Sequence, residues 1–365
     1  MTYRVDRTRI GGEFELDLTS FSNTADKAPL TLPCAHLHWT DTGRSALFLA
    51  ATDILRRGGE PLVWMPAFCC RAVVQAFQQA GFAIRYYSSA ELHCGAGPQP
   101  DPAAGQTVLF VHYFGHINRY RLAQVAAWRR MGAYVVEDAA QAALTQEVGS
   151  AGHYAITSLR KFLPQPDGAM IGSESEMNFS TADPDEEFVS ARILAKLMRG
   201  AGAPPETFLP LLAHTESRLD TQPIVPRKPS WMSRLLLART DFSSVAERRR
   251  CNWELLRQSL HGSLSSHLTA LHDVVDPREV PLGLAVRVSG GQREPLRRFL
   301  ADHAIFCPVH WPLSHVPTST ELALDHELSS QILTLPIDQR MEESHVRRFV
   351  KLLQRFFADA KQTRR

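Results

Sequence analysis

From about residue 40 to residue 175 the chain alternates helical segments with short apolar runs, and this rhythm restricts the fold more than any other feature of the sequence. Arg44–Arg57 carries apolar residues at helical spacing and stops at Gly58-Gly59. Pro61–Met65 is a short apolar run closed by Pro66, Cys69–Ala80 reads as a helix ended by Gly81, and Phe82–Tyr87 as a strand. Thr107–Tyr113 is a stronger strand. Arg119–Met131 reads as a helix with Gly132 past its end, and Ala133–Val136 as a strand that delivers Glu137 and Asp138. Strands separated by helices of this length pair in parallel through helical crossovers, so the expected class is α/β.

The rhythm is lost from Glu174 to about Ser230. This region holds an acidic stretch (Asp183 to Glu187), a helical segment at Phe188–Met198, Gly- and Pro-rich text, and a linker at Gln222–Pro229 with three prolines. Beyond it, helices are expected from Ser243 towards Leu260, at Glu294–His303 and at Glu343–Ala358, with a strand at Leu284–Val288. The expected layout is a large domain over residues 1–240, including an N-terminal arm, and a smaller α+β domain over residues 241–365.

Composition removes several function classes. With 44% hydrophobic and 21% charged residues the 365-residue chain reads as a soluble globular protein, and a net charge of +2 supplies no field to recruit nucleic acid or a membrane surface. The N-terminus is charged where a signal peptide is apolar, and no run approaches membrane-spanning length. Six cysteines show no metal-ligand or C-x-x-C spacing, so a reduced, cytoplasmic protein without a metal site is expected.

Chemistry concentrates in Tyr134–Ile171. An apolar strand ends on Asp138; Ser158 follows twenty positions later, three before Lys161, with Pro166-Asp167-Gly168 beyond. In open α/β sheets ligands bind at the carboxyl ends of strands, where Asp138 falls. Pyridoxal phosphate needs a lysine for an imine, a carboxylate to keep the ring nitrogen protonated, and hydroxyl and helix N-terminal donors for its phosphate. Lys161, Asp138 and Ser158 suit these roles. Gly43, Arg44 and Ser45 open the first helix and offer a second part of a phosphate site.

The segments TGRSAL, WMPAFCC, VHYFG, VEDAAQA, SLRKF with PDGAMI, and LPID, in that order, resemble the DegT/DnrJ/EryC1/StrS family of pyridoxal-phosphate enzymes, mostly sugar aminotransferases. The resemblance implies a fold type I transferase with a mixed, mostly parallel sheet flanked by helices. It implies Lys161 as the imine lysine, Asp138 on the ring nitrogen, Gln141 near the phenolic oxygen, Ala140 under the ring, and Ser158 with Gly43, Arg44 and Ser45 at the phosphate. The position where many members stack an aromatic residue on the ring is Cys70 here, with Phe68 two residues earlier, and Ser158 and Lys161 stand closer together than the family tends to have them. His112 and His310 are candidates for the substrate side, His310 with its neighbour Trp311.

By the same resemblance the reaction is transfer of an amino group, from glutamate, to a keto-sugar nucleotide in polysaccharide or secondary-metabolite biosynthesis, by a homodimer. A sister group that dehydrates sugars carries histidine in place of the lysine, and Lys161 speaks against it. A pyridoxal-phosphate enzyme acting on an amino acid or natural-product intermediate without transamination would use the same lysine and aspartate. A non-catalytic sensor or interaction module would need neither.

Overall fold

The computed structural model describes residues 9–16 and 30–362. Its first elements are strand β1 (Ile10–Gly11), strand β2 (His36–Thr40), helix α1 (Gly43–Arg56), strand β3 (Leu62–Pro66), helix α2 (Arg71–Gln79), strand β4 (Ala83–Tyr87), the single turn α3 (Glu91–Cys94) and strand β5 (Thr107–Val111). Then come helix α4 (Arg119–Arg130), strands β6 (Tyr134–Asp138), β7 (Tyr154–Ile156) and β8 (Ala169–Ser173), and helices α5 (Glu186–Gly200), α6 (Pro205–Thr221), α7 (Trp231–Ala238) and α8 (Phe242–Gln258). The chain finishes with strands β9 (Leu268–Ala270) and β10 (Leu284–Val288), helix α9 (Arg293–Asp302), strand β11 (Ile305–Phe306), helix α10 (Ala323–Gln331), strand β12 (Ile332–Leu335) and helix α11 (Glu343–Gln362).

Seven strands form one sheet in the order β2-β8-β7-β6-β5-β3-β4, in which β8 alone runs against its neighbours. The sheet is therefore mixed and mostly parallel, as expected from the sequence. All five residues of β5 are buried, which is what a strand covered by helices on both faces requires. A second sheet, β12-β10-β9, is antiparallel. With α8, α9 and α11 it encloses a separate core around Trp253, Val286, Leu300, Leu333 and Phe349. The arm strand β1 joins this second part, pairing in parallel with β11 through Ile10↔Ile305 and Gly11↔Phe306.

The segment read as Gly- and Pro-rich text contains a full helix. Pro205 occupies the first position of α6, where its fixed φ suits the helix and its missing N–H has no intrahelical role. Proline here starts structure rather than breaking it. The Gln222–Pro229 stretch does connect helices, and it docks on the sheet: Asp41 N–H donates to the Arg227 carbonyl (2.9 Å) and Lys228 N–H to the Ala182 carbonyl (2.9 Å).

The two cores meet at the turn after β5. Phe114 is fully buried with φ 55° and ψ 20°, a left-handed conformation unusual for a bulky side chain, and Gly115 follows at φ 93°. A Cβ on Gly115 would lie 2.2 Å from the Val280 carbonyl oxygen, so only glycine fits. Leu282 N–H donates to the Phe114 carbonyl (2.8 Å), and buried Arg249 donates to the carbonyls of Pro281 and Leu282 while its guanidinium lies 4.9 Å from the Phe162 ring centroid. Gly115→Ala is expected to lower stability by about 2–3 kcal/mol, from backbone strain and a clash with fixed backbone, read from the midpoint of urea unfolding.

Candidate functional site

Strand β6 ends on two successive carboxylates, and strand alternation turns them to opposite faces of the sheet. Glu137, fully buried, accepts from His112 Nε2 (3.0 Å) and from the backbone N–H groups of Gly149 (2.9 Å), Ala151 (2.8 Å) and Gly152 (2.5 Å). Burial pushes its carboxyl up, but these donors outweigh burial and hold it below its ordinary value. Asn118 N–H donates to His112 Nδ1 (3.1 Å), which places the His112 proton on Nε2 and commits both ring nitrogens. Among the described residues Asp138 has one such partner, the Ala140 N–H at 2.9 Å. Burial raises its carboxyl, opposed first by the charge of Lys161.

Lys161 closes a single 3-10 turn, Leu159–Lys161, that follows β7. It stands near His310 as well as Asp138. Burial, with the lysine charge beside it, pushes the His310 imidazole down to about 3, so this ring is neutral at any ordinary pH. Its Nδ1 lies 2.9 Å from Thr334 Oγ1. Ser158, Lys161 and His310 share the wall of a cavity of about 460 Å³, within the range of about 300–1,000 Å³ common to small-molecule sites. The cavity lies between the main sheet, the second core and the arm, with Gly11 to Phe14 and Arg160, Arg192 and Arg249 in its wall.

Gly43, at the start of α1, comes close to Ser158: a Cβ added to it would sit 3.6 Å from the Ser158 Cβ. Thr42 caps α1 through its side chain, whereas Ser158 heads its own turn without using its hydroxyl as a cap. Gln141 is buried. Its Oε1 accepts from the Phe114 N–H (2.8 Å), and its Nε2 has no acceptor among the described residues. Half-buried Ala140 sits between it and Asp138 in sequence.

Other sequence-predicted residues do not join this group. Arg44 is turned outwards, its guanidinium held by the Leu219 carbonyl and Asp220 at the end of α6. Buried Ser45 is bound to Thr42 Oγ1 (3.0 Å) and to the Asp41 carboxyl, which burial raises to about 6. Phe68 is enclosed by Tyr113 and Trp311, with ring centroids at 5.8 and 5.4 Å. Cys70 heads α2 and packs on the same core. His112 is fully buried, away from the cavity wall, because Glu137 and the Asn118 amide hold its ring.

The cations of the cavity wall and the arm's Glu13 were not singled out from the sequence. A signal for one of them, Arg192, exists in α5. Its buried positions are Phe188, Val189, Arg192, Ala195, Lys196 and Arg199, an ordinary apolar stripe in spacing with three cations written into it. Among the described residues no cluster of three or more His, Cys, Asp or Glu side chains could hold a metal ion, and no helix is long and apolar enough to cross a membrane.

Neither the protein-family models nor the curated proteins gave a match to this chain. Solved structures did. A DegT DnrJ EryC1 StrS aminotransferase from Brucella abortus is similar with a TM-score of 0.57 over 89% of this chain and 87% of its own, at 17% identity. The chain has the fold of the DegT/DnrJ/EryC1/StrS aminotransferases. Spr1654 from Streptococcus pneumoniae, in its PLP form, gives a TM-score of 0.66 over 96% of this chain and 98% of its own at 16% identity. DesI, in the presence of its TDP-sugar product, gives 0.59 over 88% and 80% at 16% identity. Within this aminotransferase fold Asp138 terminates a central parallel strand, and Lys161 follows the neighbouring strand. His112→Leu is expected to cost about 1–3 kcal/mol in urea unfolding, because it removes one of the four donors to a buried carboxylate.

Proposed function

We propose that this protein is a pyridoxal-phosphate-dependent aminotransferase that moves an amino group, from glutamate, to a keto-sugar nucleotide. The observation that carries the reading is an amine (Lys161) whose charge acts on a buried carboxylate with one hydrogen-bond partner among the described residues (Asp138), with a buried amide nitrogen lacking an acceptor among them (Gln141) three residues further along the chain. These three suit pyridoxal phosphate: an amine for its carbonyl, a carboxylate for its ring nitrogen and a donor for its phenolic oxygen. The cradle of Gly43 beside Ser158 at the start of α1 adds a hydroxyl and helix N-terminal amides for the phosphate. When bound, the cofactor would supply the carbonyl that carries nitrogen between substrates and a ring that accepts the electron pair left on carbon.

The chain's own residues would do the rest. Asp138, ionised once a cationic partner faces it, would hold a proton on the ring nitrogen. Lys161 Nζ would take the proton from the carbon bearing the amino group and return it on the other side of the reaction. Gln141 Nε2 would fix the ring's orientation. DesI, crystallised with a TDP-sugar product, and the size of the cavity support a sugar-nucleotide acceptor. Apolar side chains left exposed on α5, α6 and α7 (Leu194, Leu209 and Trp231) support a homodimer, which light scattering would check.

Purified protein loaded with pyridoxal phosphate should absorb in the visible, and borohydride should fix the cofactor to the peptide that contains Lys161. Lys161→Ala should lose that band and about a thousandfold or more of turnover, and Asp138→Ala should weaken cofactor binding. L-glutamate should convert the spectrum, and a mass-spectrometric screen of keto-sugar nucleotides should then reveal the acceptor. Fixation to a peptide without Lys161 would overturn the assignment, and no conversion by any amino donor would overturn transamination.

A further inference from the structure

Five charged side chains form an unbroken line beside Lys161. Arg160 pairs with Glu216 (2.8 Å), Glu216 with Arg192 (2.6 Å), Arg192 with Glu13 (3.0 Å) and Glu13 with Lys196 (2.9 Å). The line begins and ends on a cation, so three positive charges share two negative ones. Four of the five line the cavity, and Lys196 sits behind Glu13, which it binds along with the Phe14 carbonyl (3.1 Å). The Arg192 Nε is buried with no acceptor among the described residues.

The members differ in how firmly they are held. Arg192 and Lys196 are 1% and 0% exposed and are rooted in the fifteen-residue helix α5. The Glu13 side chain is 35% exposed, while the arm's backbone on either side is held, Arg340 donating to the Glu13 carbonyl (3.0 Å) and Arg199 to the Gly11 carbonyl (2.9 Å). The carboxylate, not the arm, is the part that can move. A buried cation stripped of a partner is strongly disfavoured. The carboxylate therefore cannot simply lift away from Arg192 and Lys196. It can be exchanged for another anion, because an incoming carboxylate meets the same donors and recovers the same attraction. Arg160 has donors to spare, with Glu216 its one side-chain partner among the described residues, and it directly precedes Lys161 in the chain.

We propose that Arg160, Arg192 and Lys196 form an anion subsite of the reaction cavity, that the Glu13 carboxylate fills it in the resting protein, and that a carboxylate or phosphoryl group of the substrate takes its place. The Glu13 side chain is then a built-in competitor. A ligand with an anion at one end and its reacting centre at Lys161 displaces it, whereas a neutral ligand of the same length does not. The assignment of the reacting end rests on the function proposed above; the subsite itself does not depend on it.

The test is titration of the cofactor-loaded protein with glutarate, inorganic phosphate and the neutral diamide glutaramide, followed by thermal shift and separately by cofactor absorbance. Glu13→Gln should bind glutarate or phosphate about tenfold tighter than the unaltered protein and leave glutaramide unaffected. Arg160→Gln, at a side chain 19% exposed, should bind the same anions about tenfold more weakly while keeping the cofactor band. A response to glutarate alone identifies the ligand group as a carboxylate, and a response to phosphate alone identifies it as phosphoryl. Anion affinity unchanged in Glu13→Gln overturns the competitor role. Should that variant fail to fold, unchanged affinity in Arg160→Gln overturns the subsite. A protein that takes up no cofactor refutes the proposed function, and the thermal-shift titration then still decides the subsite.

Discussion

The structure around the site depends on how a buried carboxylate is satisfied. A charge removed from water needs donors, and β6 brings two carboxylates to one strand end. Glu137 takes four donors: three amides from the loop after β6 and the His112 ring. In doing so it fixes the path of the chain from β6 to β7, and through His112 it also fixes the start of α4, where Asn118 caps the helix. Asp138, one residue on and on the opposite face, is left almost without partners. One carboxylate builds the frame, and the other remains free for a ligand. The same contrast appears in their acidities, lowered for Glu137 and raised for Asp138.

Much of this was legible in the sequence, for identifiable reasons. The central strands β5 and β6 announce themselves because strands covered on both faces must be written in apolar runs, and the helices α1, α2 and α4 because apolar residues recur at helical spacing. The antiparallel β8 and the short β7 are harder to see, since three to five residues cannot display a period, and AMIGS contains a glycine. Helix α6 was hidden by its own prolines. Lys161 stands near Asp138, and Gly43 near Ser158, because residues in adjacent loops at one end of a sheet need no long-range information to be neighbours.

What the sequence could not show is direction. Arg44 sits where a phosphate contact was expected, yet the end of α6 offers its guanidinium a carbonyl and Asp220, and a side chain that long follows the nearest strong acceptor. Phe68 and His112 turn inwards for similar reasons: a fully enclosed aromatic cluster in one case and a buried carboxylate in the other. The wall opposite Lys161 depends on contacts between residues nearly two hundred positions apart, Glu13 with Arg192 and Lys196. No local pattern encodes such a pairing, although cations on the buried stripe of α5 hint that an anion is wanted there.

The pairing of β1 with β11 has a consequence for how the cavity comes into being. Ile10 and Gly11 leave the ribosome almost three hundred residues before their partners, Ile305 and Phe306, are made. Domains tend to fold as units during synthesis, amino-terminal parts first, and contacts so distant in sequence form late. The strand ends that carry Asp138 and Lys161 can be in place while the arm still has nothing to dock on. This enzyme-like pocket is thus assembled from the floor upwards, and its last wall is laid by a segment made long before the strand on which it docks.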